Sequence, residues 1–182
     1  MKKMTLREMT LCALFIALVT IGAFIRIPVG TDVYTLQFLF TLLAGIVLGG
    51  RCAVIAIGVY VIMGLLGIPI FASGSGPAYV LQPTFGYLIG FIVQGYLVGK
   101  LTRYWSFTFY HLLGSCLMGM VLVYLFGISY FYFLSNYIID APISFYLVIW
   151  YCGVLQVVPD FLICLLASAG GLRFIRSGFY IK

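Results

Sequence analysis

One carboxylate stands in the middle of an apolar run. Asp160 lies in VVPDFLICLL, with hydrocarbon-loving residues on both sides. An ionised acid at such a position costs roughly 3 kcal/mol or more, so it is a candidate for function. Its two oxygens only accept hydrogen bonds, which suits a ligand that offers paired N–H groups. Pro159, just before it, has no N–H and opposes a regular helix, so a kink is expected there. Three readings of Asp160 stand side by side. It touches a ligand, it pairs with another helix, or it belongs to a further half-span or an inner aqueous vestibule.

Amides form the second set. Gln156 lies one helical turn before Asp160 and shares its face. Gln37 sits in YTLQFLF and Gln82 in VLQPTFGY. An amide donates and accepts at once, which fits an amide-like or urea-like ligand. The competing reading is hydrogen bonding between helices, worth about 0.6–2 kcal/mol each. Gln94, deep in an apolar run, is read as that interhelical kind. Arg26 either anchors a helix end by snorkelling or meets an anionic group on a ligand.

Catalytic chemistry finds little support. Ser73, Gly74, Ser75 and Gly76 invite a serine-nucleophile reading, which requires a base within reach. The single histidine, His111, falls on the opposite side of the membrane in the topology below. No GxxxxGK[ST] loop is present, so ATP hydrolysis by that route must come from another chain. Cys12, Cys52, Cys116, Cys152 and Cys164 form no CxxC pair and each lies in an apolar run. They are read as packing residues. No cofactor and no metal site are expected.

The elements that must position these groups follow from composition. The 182 residues are 64% hydrophobic and 8% charged, with mean hydropathy +1.21. A water-facing surface needs about 25% charged residues, so this is an integral membrane protein. The apolar runs are long and continuous, which selects helices over a closed barrel. An all-α single domain over 1–182 is expected, with spans at about 9–27, 33–50, 52–68, 84–100, 107–134 and 143–171. The run after Arg7 has no A-x-A-like cleavage site and is read as the first span. With the N-terminus cytoplasmic, the inner side receives Lys2, Lys3, Arg7, Arg51, Lys100, Arg103, Arg173, Arg176 and Lys182. The outer side receives Arg26 alone. That bias predicts cytoplasmic N- and C-termini. It also puts the Pro- and Gly-rich stretch 68–83 outside. Ala13 and Ala17, four apart in the first span, permit close contact with another helix.

Several stretches line up in order: FIRIPVGTDVYTLQ, LLAGIVLGGR, GLLGIPIF and PTFGYLIGF. This succession resembles the BioY family, the biotin-binding S-components of energy-coupling-factor (ECF) transporters. The similarity runs from residue 5 to about 103 and resumes around Asp160. It implies a six-helix bundle that captures biotin from outside. A transmembrane coupling protein and a pair of cytoplasmic ATPases then drive uptake. By the same resemblance, Ala13 and Ala17 contact the coupling protein. Asp160 holds the ureido ring, and the loop after GxPxF lies over or beside the pocket. Tyr79 and Tyr87 are placed to pack on the thiophane ring. Three positions depart from the family pattern. Ile163 replaces a lysine that would meet the biotin carboxylate, Phe85 replaces a glycine, and Ser73 replaces an asparagine. Arg26 is a substitute for the missing lysine.

The expectation is therefore a multi-pass plasma-membrane subunit without catalytic activity. Two other readings remain. One is an S-component for another small vitamin or a biotin precursor. The other is a self-sufficient ion-coupled secondary transporter, with Asp160 as the proton or ion site.

Overall fold

The computed structural model describes residues 4–29, 32–139 and 141–181. Helix α1 (Leu6–Phe24) opens on a capping box, in which Thr5 and Glu8 satisfy each other's backbone N–H groups. It is followed by a two-stranded antiparallel ribbon, β1 (Arg26–Val29) and β2 (Asp32–Thr35), in the register Arg26↔Thr35 and Val29↔Asp32. This ribbon was not foreseen. The second span was expected from residue 33, but β2 takes those residues and α2 starts at Gln37. The reason is local: RIPV and DVYT are rich in β-branched and aromatic residues. Pro28 is tolerated because a two-stranded ribbon has open edges.

Helices α2 (Gln37–Leu48) and α3 (Gly50–Leu65) are joined at Gly49, whose φ of +80° favours glycine. A side chain there would also strike Arg103 of α4 (Phe85–Tyr104), since a Cβ would lie 2.9 Å from Nε. The Arg103 guanidinium donates to the carbonyls of Ile46 (2.7 Å), Val47 (3.0 Å) and Ile181 (2.7 Å). It thus takes up carbonyls that the last turn of α2 leaves without helical partners. The chain tail is bound to the same place, with Ile181 N–H donating to Val47 O at 2.9 Å.

Helix α5 covers Phe109–Tyr137. Residues 145–176 then run as α6 (Phe145–Ile149), a π-turn (Trp150–Val154) and α7 (Leu155–Arg176). A kink was expected at Pro159, but α7 continues through the proline, and the irregular turn ends five residues before it, at Val154. Helices α1, α4, α5 and the 145–176 run are long and apolar enough to cross a membrane, whereas α2 and α3 are shorter. At 1.5 Å per residue α2 rises about 18 Å and α3 about 24 Å, against ~30 Å of hydrocarbon. The ribbon and residues 66–84 cover the ends these two helices leave.

Helix α4 stands between α3 and α5, and its glycines set the spacing. A Cβ on Gly86 would lie 2.3 Å from the Tyr130 Cβ, and one on Gly90 3.0 Å from the Val123 Cα, both on α5. On the other side, a Cβ on Gly95 would lie 2.7 Å from Ile57, and one on Gly99 2.2 Å from the Gly50 backbone nitrogen. The close approach at Gly99 is backbone against backbone, so no rotamer change can relieve it. Gly99→Ala is expected to destabilise the protein by about 1–3 kcal/mol, read as a lower thermal midpoint in detergent. Gly58→Ala, with nothing within 4 Å of its Cβ position, is the control and should leave the midpoint unchanged or raise it.

Candidate functional site

Asp160 is buried, with 5% of its surface exposed. Its Oδ2 accepts a hydrogen bond of 2.7 Å from the Tyr124 hydroxyl on α5. That bond takes one of roughly four acceptor positions on a carboxylate. Pairing with another helix is therefore present, and acceptor capacity remains for a ligand. Tyr124 escaped the sequence reading. The chain has 14 tyrosines, and nothing in the local sequence marks the one that meets Asp160 across the bundle. Tyr87 lies close by. Its ring rests where Gly127 of α5 has no side chain, and its hydroxyl is 3.4 Å from the carbonyl of Cys152 in the π-turn. The irregular turn before Pro159 is thus tied to α4 through Tyr87.

A second cluster forms where α2 and α3 meet residues 66–84. Gln37 is buried and donates from Nε2 to the Tyr60 hydroxyl at 3.1 Å, and Tyr60 donates to Ile70 O at 2.9 Å. Phe71 inserts beside Gly64, where a Cβ would come within 2.1 Å of the ring. Its ring meets Tyr79 at 4.5 Å and Tyr60 at 5.5 Å between centroids. Gly76 N–H closes the segment onto Gly64 O at 2.8 Å. A short 3₁₀ helix, Pro77–Leu81, presents the Val80 carbonyl to the Tyr130 hydroxyl. The Pro- and Gly-rich stretch is thus a folded cap over α3, bonded to both α3 and α5.

The remaining candidates divide. Tyr79 is buried within this cap, while Ser73 and Gln82 have exposed side chains. Gln156 is half-buried. The backbone of Arg26 pairs with Thr35, and its side chain lies outside the described residues. Ala13 and Ala17 are exposed on one face of α1, in a stripe with Met9, Leu14 and Ile21, opposite the buried Leu11, Phe15 and Val19. Among the described residues, no three His, Cys, Asp or Glu side chains gather as a metal site would require. Cys12, Cys52, Cys116 and Cys164 are buried thiols outside any disulfide.

Comparison with known proteins gives one answer. The BioY family matches residues 1–178. A probable biotin transporter BioY from Lysinibacillus sphaericus is 37% identical over 93% of this chain and 86% of its own. The biotin transporter BioY of Thermotoga maritima is 38% identical over 68% of this chain and 73% of its own. Among solved structures, the S-component for biotin from an ECF-type ABC transporter superposes with a TM-score of 0.81 at 26% identity, covering 96% of this chain and 95% of that one. A helical membrane bundle with a buried acid in its last span, matched over almost its whole length, leaves one assignment: the chain belongs to the BioY family.

Proposed function

We propose that the chain is the substrate-capture subunit of an ECF-type transporter and that it binds biotin at the ribbon end of the bundle. The observation that carries this is Asp160, a buried carboxylate oriented by Tyr124 in a chain of the BioY family. The protein is a transporter component, not an enzyme. In this reading the ureido N–H groups of biotin donate to Asp160. The Tyr124 hydroxyl holds the carboxylate in place and disperses its charge. Such charge-assisted bonds are worth about 1.5–3 kcal/mol. Tyr79 and Tyr87 supply aromatic walls for the thiophane ring. Gln37, Gln82, Gln156 and Ser73 supply polar edges, and Gln37 reaches the ligand while still held by Tyr60. Arg26, at the base of the ribbon, takes the carboxylate of the ligand in place of a lysine at the Ile163 position.

The remainder follows from charge and surface. The ribbon end faces outward and both termini are cytoplasmic, because nine of ten basic residues then lie inside. The exposed stripe of α1 at Ala13 and Ala17 docks on a transmembrane coupling protein, which conveys work done by two cytoplasmic ATPases. Catalysis is not required of this chain. Its task is to bind, close and reorient.

Three measurements test this reading. Purified wild-type protein should bind biotin tightly with no ATPase present. Asp160→Asn should weaken binding on the order of 10–100-fold and Tyr124→Phe by about tenfold or less, by titration calorimetry. Well-folded wild type that ignores biotin would overturn the substrate, and proton-gradient-driven uptake by the lone chain would replace capture with ion coupling. Ala13→Trp should leave biotin affinity unchanged but abolish ATP-driven uptake in vesicles carrying the complete transporter. For orientation, Ser73→Cys should react with an impermeant maleimide added to intact cells, and Ser106→Cys should react only after lysis. Both positions are exposed.

A further inference from the structure

Gln94 lies in the middle of α4, with 0% of its surface exposed. It fills the notch left by Gly119 of α5, where a Cβ would be 2.8 Å from the Gln94 Cγ. From the sequence it reads as a link between helices. The structure supplies that link only at its long limit, through the amide oxygen, and leaves Nε2 without a hydrogen-bond partner. Its Oε1 has only Thr41 Oγ1 of α2, at 3.5 Å. The same hydroxyl lies 2.9 Å from Phe38 O. A hydroxyl has one proton, and the shorter contact holds it. Turning the amide over does not help. Its nitrogen would then meet the Thr41 oxygen at the same long distance, and a second N–H would still lack a partner. A donor left unpaired in an apolar interior is unfavourable, and native structures rarely retain one without a use. Leucine would fill nearly the same volume without that cost.

The location gives the use. Gly119, which receives Gln94, and Tyr124, which holds Asp160, are five residues apart on α5, or about 7–8 Å of rise. Helix α5 runs toward the ribbon end, so Gln94 lies deeper than Asp160 as seen from there. A ligand entering from that end meets Asp160 first and the Gln94 amide last. The carboxylate of Asp160 only accepts, so it takes the N–H groups of a urea. What such a ring still offers is the carbonyl oxygen between them, and what Gln94 still offers is N–H.

We infer that Gln94 is a ligand-binding residue whose side-chain amide donates to the ureido oxygen of the captured ligand, with the ligand's carboxylate directed toward the ribbon. This rests on the biotin reading above. The orphan donor is satisfied only when the site is filled, so Gln94 favours the occupied state over the empty one.

The test compares wild type with Gln94→Leu. In the ligand-free state the variant's thermal midpoint should equal or exceed that of wild type, since the unpaired donor is gone. Its affinity for biotin should fall about tenfold. Two biotin analogues separate this from a general loss of folding. One carries a thiocarbonyl, a poor acceptor, in place of the ureido carbonyl. The other has a methyl group in place of the carboxylate. The tenfold ratio between wild type and variant should collapse toward one with the thiocarbonyl analogue and persist with the carboxylate-free one. Unchanged biotin affinity overturns the inference, as does a ratio equal across all three ligands or one that collapses only without the carboxylate. If wild type binds no biotin, the reading of the substrate fails, and this assignment with it. If wild type binds and the variant matches it, only the role of Gln94 fails.

Discussion

Helices in lipid gain nothing from the hydrophobic effect when they associate, so contact itself must hold them together. Here that constraint falls on α4. Its glycines face two ways: Gly86 and Gly90 admit α5, and Gly95 and Gly99 admit α3. Because α4 sits this close to both neighbours, Tyr87 reaches the π-turn and Gln94 reaches the notch at Gly119. The position of α5 then determines where Tyr124 meets Asp160. A side chain at Gly86, Gly90 or Gly99 would meet backbone or Cβ atoms of the neighbouring helix and push the two apart.

The two ends of the bundle satisfy their backbone by different means. At the Gly49 end an arginine does so. Arg103 gathers carbonyls from α2 and the chain tail, while Arg7 donates to Gly178 O at 3.0 Å. A guanidinium offers five donors in a rigid fork and can hold several carbonyls at once. At the ribbon end tyrosine hydroxyls do so, one carbonyl at a time: Tyr60 to Ile70, Tyr130 to Val80, Tyr87 to Cys152. Each of these is a single bond worth about 1 kcal/mol. Such an end can open in steps, and the other is held as one block.

The helical class could be read directly from the sequence, and so could Asp160 as a candidate, because hydropathy makes an acid in an apolar run conspicuous. The π-turn was not legible: Pro159 pointed to a break at its own position, whereas α7 runs through it and the irregular turn lies at Trp150–Val154. The β-ribbon was hidden because RIPV and DVYT, seen within a membrane chain, read as the fringes of two spans. Tyr124 was hidden for another reason. Its partner lies 36 residues away, and a tyrosine in an apolar helix carries no local signal. Gln94 was visible but read by its commonest role. The 3.5 Å separation from Thr41 and the unpartnered Nε2 show that role to be only weakly filled.

The shortness of α2 has a consequence for distance. A membrane of about 30 Å of hydrocarbon is normally the path a solute must cross. A molecule seated at the level of Gln37 or below it has no more than the length of α2 beneath it, about 18 Å. If the function proposed above holds, about two-fifths of the hydrocarbon thickness lies behind the ligand once it is bound.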